Sequence, residues 1–401
     1  MKVAYDIRGK YPEELNETIA YKAGRACAIF LKAKKIVVGR DCRVHSLALK
    51  KSLIYGILDQ GCDAIDIGLC STPVSYYAAI KNHSLMITAS HNPKEYNGIK
   101  ITRKGVESIG ASKGLNKIVE LMGSCHFPEP KKRGKAISKN ILPEYVRAMR
   151  AIAKVRTKPL RVLIDDGNGM AAWVVPKLLK GLSVKWKLLH GKLDGTFPNH
   201  TPNPSVPKNT KDLQLEIKKG KWDLGIAYDA DCDRVFFIDE LGKRVRPEFA
   251  LLLMADRMLR KGDALVYTIN SSRIIRDVAR EKGWKAIASP IGHSEIPAVM
   301  KKNKAVIGGE ITGHYYFKEF SFADNGDLAA LHIMTILSQS GKKMSELIAP
   351  YKKYATSEEL NYKVKDKQAV LKRIRNKYKK QITSELDGLT IDAGEYWFNI
   401  R

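Results

Sequence analysis

The sequence predicts an α/β protein: three similar α/β units followed by a short, distinct tail. Three observations carry the prediction. Short β-rich runs alternate with amphipathic helical stretches along most of the chain. A strand that runs into Gly167-Asn168-Gly169 and then a helix repeats the logic of the N-terminal stretch. With 401 residues, 44% hydrophobic and 28% charged, the chain has apolar material for several cores and is not disordered.

The elements follow in order. Residues 13–33 read as a helix, 35–39 as a strand, 46–60 as a helix, 64–68 as a strand and 84–88 as another strand. Residues 125–135 hold Pro128, Pro130, Gly134 and the Lys131-Lys132-Arg133 run, so they read as an exposed connection. A helix near 142–154 leads to a second unit, whose first strand starts at Leu160. The Pro-, Asn- and Thr-rich segment 194–207 reads as loop, and 224–228 and 235–239 read as strands flanking an acidic knot. A helix near 247–260 opens the third unit, with strands at 264–269 and 305–307 and a helix at 326–339. The tail, 357–401, reads as strand, basic helix 366–380 and strand 396–400. Units are therefore expected at 1–150, 151–250 and 251–356, with the tail at 357–401.

Composition narrows the function. No run of 18 apolar residues exists, which argues against a transmembrane helix. Charge precedes any apolar stretch at the N-terminus, which argues against a secretory signal. Six scattered cysteines, none spaced C-x-x-C, indicate neither a zinc ribbon nor a redox pair and fit a reducing cytoplasm. The net charge of +28 fits a polyanionic partner or simply a Lys-rich solvated surface. Aromatics are 8%, and the basic residues are spread along the chain, so the solvated surface is the preferred reading. The segment 365–380 carries eight Lys/Arg, with Val370, Ile374 and Tyr378 on one stripe, as a surface helix does. No nucleic-acid or membrane partner is expected.

Four segments bear chemistry. Thr88-Ala89-Ser90-His91-Asn92-Pro93 ends a strand in a turn. Its hydroxyl is either an exposed nucleophile or part of an ordinary polar turn. On extended backbone, the Ser90 and His91 side chains would point apart. Asp229-Ala230-Asp231-Cys232-Asp233-Arg234 sets three carboxylates at i, i+2 and i+4. On extended backbone they share a side and repel unless a cation sits among them. Hard oxygen ligands without His suit Mg²⁺ or Ca²⁺; a solvated acidic turn is the alternative. An EF-hand fails, because Arg234 stands where glycine is needed and β-formers follow. Gly308-Gly309-Glu310-Ile311-Thr312-Gly313-His314 suits sugar hydroxyls, or is a glycine-rich loop that binds nothing. Ile291-Gly292-His293-Ser294 reads by default as an unremarkable histidine turn.

In this order and spacing, the four segments resemble the α-D-phosphohexomutase superfamily, from Tyr5-Asp6-Ile7-Arg8-Gly9 to Arg401. Val38-Gly39-Arg40-Asp41 and Asp194-Gly195-Thr196-Phe197-Pro198-Asn199-His200 add to the match. Asn92-Pro93-Lys94-Glu95-Tyr96-Asn97-Gly98 and Gly292-His293-Ser294 look most like the phosphomannomutase/phosphoglucomutase branch, with phosphoglucosamine mutase as the alternative.

The resemblance implies three mixed-sheet α/β domains around a central cleft plus a partial fourth α+β domain. It implies interconversion of hexose 1-phosphate and hexose 6-phosphate, on mannose, glucose or both. The route runs through phosphoserine at Ser90 and a glucose or mannose 1,6-bisphosphate. One Mg²⁺ would be held by Asp229, Asp231, Asp233 and a Ser90 phosphate oxygen. Arg8, His91 and Lys100 match positions near the phosphoserine, with Lys100 or His91 moving the hydroxyl proton. Arg234 would bind phosphate, Glu310 and Thr312 the 3- and 4-hydroxyls, and His293 and His314 would orient the sugar.

Several positions depart from the pattern. Ala230 and Cys232 stand where the family more often has glycine, Thr312 replaces serine, and Asn270 stands where some members have lysine. The family's fourth domain also passes from a strand like 396–401 into a Ser/Asn/Thr-rich phosphate loop, which would begin where this sequence ends. The expectation is weak activity, because remote phosphate binding energy lowers the chemical barrier. A sugar-phosphate-binding protein with impaired catalysis is the corresponding alternative.

Overall fold

A computed structural model describes residues 2–3, 5–124, 126–292, 294–357 and 359–401. The expected site residue His293 lies outside the described residues.

Three mixed sheets and one small antiparallel sheet account for the strands. In the first sheet the strand Lys35–Arg40 lies between Asp63–Leu69 and His83–Ile87, all parallel. Tyr96–Arg103 then runs antiparallel to His83–Ile87, and Ile7–Lys10 antiparallel to Tyr96–Arg103. The second sheet repeats the plan. Leu160–Asp165 is central between Val184–Leu189 and Leu224–Tyr228, parallel to both, and Val235–Ile238 returns antiparallel. The third does so again, with Ala264–Thr268 central, Lys285–Ser289 and Ile307–Gly309 parallel to it, and Tyr315–Phe317 antiparallel.

The central strands are buried on both faces, which is why they read as apolar runs such as Val162-Leu163-Ile164 and Leu265-Val266. Helices cover them. Asn16 caps the helix Glu17–Leu31 by accepting from the Ile19 N–H at 3.1 Å. That helix packs on Ser46–Asp59 through glycines: a Cβ on Gly24 would lie 2.2 Å from the Leu53 carbonyl, and one on Gly56 2.0 Å from the Tyr21 carbonyl. Helix Leu142–Ile152 buries Leu142, Tyr145, Val146 and Met149, and its Arg150 Nε donates to the Leu178 carbonyl at 2.9 Å. It therefore ties the first unit to the second.

The tail forms the meander Ile382–Ser384, Leu389–Asp392 and Trp397–Ile400, preceded by helix Lys367–Lys377, which buries no residue. The strand expected at the start of the tail is absent among the described residues. Leu360 and Tyr362 there are exposed, with no neighbouring strand to supply ladder hydrogen bonds.

Candidate active site

The three chemistry-bearing loops occupy one topological position. Each is the turn between the third parallel strand of a sheet and the antiparallel strand that follows. Residues 88–95 join His83–Ile87 to Tyr96–Arg103, 229–234 join Leu224–Tyr228 to Val235–Ile238, and 310–314 join Ile307–Gly309 to Tyr315–Phe317. Three repeats of one fold thus present three different loops from the carboxyl ends of their parallel strands, where open α/β sheets bind ligands.

The loops meet. Ser90 Oγ donates to Asp229 Oδ2 at 2.8 Å across the first and second units. Arg234 pairs with His314 in an isolated antiparallel bridge, and the Val235 N–H donates to the Gly313 carbonyl at 3.0 Å. Arg234 Nε donates to His314 Nε2 at 2.9 Å, and His314 Nδ1 lies 2.5 Å from Asp324 Oδ2.

Asp229, Asp231 and Asp233 are buried and bring carboxylate oxygens within 4.8 Å of one another. Lys100 Nζ sits against them, 2.9 Å from Asp231 Oδ2 and 2.5 Å from Asp233 Oδ2. Asp231 Oδ1 and Asp233 Oδ1 are buried without a hydrogen-bond partner. Burial and the charges of Asp233 and Asp231 push Asp229 well above the ordinary carboxylate range. Burial would raise Asp233 as well, but Lys100, His314 and Arg234 hold it well below that range. Burial would lower Lys100, yet Asp231 and Asp233 push it well above the usual lysine value, so it is an ammonium. Orphaned hard oxygens among three carboxylates fit a divalent cation such as Mg²⁺.

The reading of Ser90 and His91 needs correction. Ser90 has φ +50°, not extended backbone, so the side chains meet: Ser90 Oγ lies 3.3 Å from His91 Nδ1. Burial, with Arg234 and Arg8 nearby, lowers the His91 pKa to about 2, so the ring is neutral. Arg8, on the antiparallel strand Ile7–Lys10, donates from Nη1 to the Ala89 carbonyl and Asn92 Oδ1, each at 3.0 Å. Its other nitrogens grip Asp6. Glu310 accepts from Thr312 Oγ1 at 3.1 Å and from the Tyr316 hydroxyl. Cys232, where the resemblance expects glycine, has φ +63°, the conformation glycine adopts most freely.

Three contributors escaped the sequence reading. Arg43, 1% exposed, donates to the carbonyls of Ser90, Asn92, Pro93 and Tyr96 at 2.7–3.1 Å and holds the serine loop in shape. Thr72 Oγ1 donates to Asp231 Oδ2 at 2.6 Å, and the Thr72 N–H to the Asp231 carbonyl at 2.9 Å. Asp324 orients His314. Only Arg43 had a signal, its place just after Gly39-Arg40-Asp41. Its targets are carbonyls some 50 positions away, which no pattern reports.

Comparison with known proteins points to one family. Models of the phosphoglucomutase/phosphomannomutase alpha/beta/alpha domains I, II and III match residues 2–126, 143–242 and 246–354. A phosphomannomutase of Escherichia coli is 34% identical, over 99% of this chain and 91% of its own length. One of Vibrio cholerae is 34% identical, over 99% of this chain and 90% of its own. The crystal structure of a phosphoglucomutase/phosphomannomutase family protein from Burkholderia thailandensis superposes with a TM-score of 0.90 at 26% identity, over 98% of this chain and 88% of that one.

Proposed function

The chain belongs to the phosphoglucomutase/phosphomannomutase family, and from that premise we propose that it interconverts hexose 1-phosphate and hexose 6-phosphate through a phosphoserine at Ser90. It is a hexose phosphate mutase, an isomerase-type phosphotransferase with the three α/β domains of its family. We take the domains at 1–150, 151–250 and 251–356, with the tail at 357–401. The observation that carries the mechanism is the Ser90 hydroxyl, 2.8 Å from Asp229 inside a buried trio of aspartates.

In the forward half-reaction the bond from phosphorus to Ser90 Oγ breaks. A bond forms from phosphorus to the free sugar hydroxyl, whose proton leaves, and the product is the 1,6-bisphosphate. In the second half the other phosphate passes to Ser90. Phosphoryl transfer asks for positioning and charge neutralisation more than covalent help. Arg43 and Arg8 fix the loop that carries the phosphate. Mg²⁺, held by Asp229, Asp231, Asp233 and a phosphoserine oxygen, would supply charge neutralisation at the phosphoryl oxygens.

Lys100, clamped as an ammonium between Asp231 and Asp233, acts as their counter-charge. That leaves His91 better placed to take the Ser90 hydroxyl proton when the second phosphate passes to the serine. Its ring is neutral and beside Ser90 Oγ; burial, then the Arg234 and Arg8 charges, depresses its basicity, and a phosphoryl dianion there offsets those charges. Arg234 and His314, hydrogen-bonded together, face the same centre, and Glu310 with Thr312 offers acceptors for sugar hydroxyls. Cys27, Cys42, Cys62, Cys70 and Cys232 are free thiols, which supports a cytoplasmic setting, and no helix among the described residues is long and apolar enough to cross a membrane.

A coupled assay with mannose 1-phosphate and glucose 1-phosphate, each with Mg²⁺ and its 1,6-bisphosphate, tests the reading. Turnover of at least one is expected. Intact mass should show a fraction about 80 Da heavy that Ser90→Ala loses together with activity. A Ser90→Ala chain that turns over at the wild-type rate would refute the assignment.

A further inference from the structure

A second cluster, made of residues other than the aspartate trio, lies on the second sheet. Asp165 ends the central strand Leu160–Asp165, His190 follows the edge strand Val184–Leu189, and His200 closes the segment 194–200. Each can place one ligand atom within 4.8 Å of the other two. The Asp165 side chain is 1% exposed, and those of His190 and His200 are 15% and 16%. We propose that Asp165, His190 and His200 form a site for a borderline divalent cation of the Zn²⁺ type.

The hydrogen bonds argue for it. The Thr201 carbonyl can only accept, so the 3.0 Å contact places the His200 proton on Nδ1. A backbone carbonyl holding the far ring nitrogen is the usual support of a metal-bound imidazole. Nε2 then turns its lone pair toward Asp165 Oδ1 and Oδ2, at 3.2 Å each, and something positive must sit between them. The two candidates are a second proton on the ring and a cation. His190 favours the cation. Its Nε2 is buried without a hydrogen bond, although Asp212 Oδ2 lies 3.3 Å away. Bonds of 2.0–2.2 Å to tetrahedral zinc put neighbouring ligand atoms about 3.3–3.6 Å apart, close to the 3.2 Å between His200 Nε2 and the Asp165 oxygens. Two imidazoles and a carboxylate select Zn²⁺ over Mg²⁺, so this site and the aspartate trio would not compete for the same ion.

The placement suggests a staple. His190 has φ +53°, and its carbonyl accepts the Asn168 N–H at 3.0 Å. The segment ending at His200 backs the Arg43 turn: Phe197 lies under the Arg43 guanidinium at 4.9 Å, and a Cβ on Gly195 would lie 2.3 Å from the Cys42 carbonyl.

The test uses the whole chain, stripped with chelator and held in excess Mg²⁺, then titrated with Co²⁺ as a spectroscopic stand-in and with Zn²⁺. About one equivalent should bind despite Mg²⁺, with visible Co²⁺ bands of a tetrahedral site that Zn²⁺ abolishes. His190→Asn should weaken binding roughly tenfold or more, and Asn tolerates the left-handed backbone there. Asp229→Asn, in the other cluster, should leave the bands unchanged. No binding in excess Mg²⁺ by the wild-type chain would overturn the proposal and leave a protonated His200–Asp165 pair. Bands lost in Asp229→Asn but kept in His190→Asn would overturn it equally.

Discussion

Lys100 shows how one residue balances the site. Its ammonium touches two buried carboxylates, and Thr72 Oγ1 donates to one of them. Lys100→Met keeps most of the volume and removes the charge, leaving Asp231 and Asp233 facing each other in a low dielectric. Breaking such a pair costs about 3–5 kcal/mol. The variant should therefore melt well below wild type in chelator. Mg²⁺ should return much of the loss, raising the melting temperature of Lys100→Met by more than that of wild type. Equal Mg²⁺ shifts in a thermal melt would mean that the aspartates and Lys100 do not share one charge balance.

At the scale of elements, close helix packing makes the next prediction. Gly56 lies against backbone, which cannot swing aside, so Gly56→Ala forces helices Glu17–Leu31 and Ser46–Asp59 apart. Overpacking costs about 1–3 kcal/mol and outweighs the gain in helix propensity of up to about 1 kcal/mol. Gly123, near the end of helix Leu115–Ser124, has nothing within 4 Å of a Cβ, so Gly123→Ala should gain up to about 1 kcal/mol. Urea denaturation of both variants checks the pair, and opposite signs are the expected result.

Burial also decides which elements the sequence reveals. Central strands such as Ala264–Thr268 are apolar on both faces and plain to read. The strand Tyr96–Arg103 hides, because its buried Asn97 and Lys100 face polar partners rather than a greasy core. The aspartate trio is legible because its members lie within five residues, although a turn with Cys232 at φ +63°, and not the extended backbone expected, is what gathers them. The meeting of Ser90 and His91 is not, because it depends on a left-handed residue that an ordinary serine does not announce.

Across the whole molecule, the units meet around one acid. Asp327 heads helix Gly326–Ser340 of the third unit. It accepts from Tyr145 of the connecting helix at 2.7 Å and from the Tyr228 hydroxyl of the second sheet. Burial raises its pKa to about 7 against the bonds from the two tyrosines. The native state thus keeps a proton, between about pH 4 and 7, that the unfolded chain has released. Stability from this group is full below about pH 4, falls as pH rises through 7, and is flat above. Asp327→Asn keeps an acceptor for both hydroxyls but cannot ionise. The stability of wild type minus that of the variant should therefore decline from pH 5 to pH 7.5 and level off beyond. Urea denaturation of both chains at each pH gives that difference and cancels the titration of all other groups. A difference independent of pH would show that the junction holds its carboxylate charged, and the three units would then be joined by an ion in place of a shared proton.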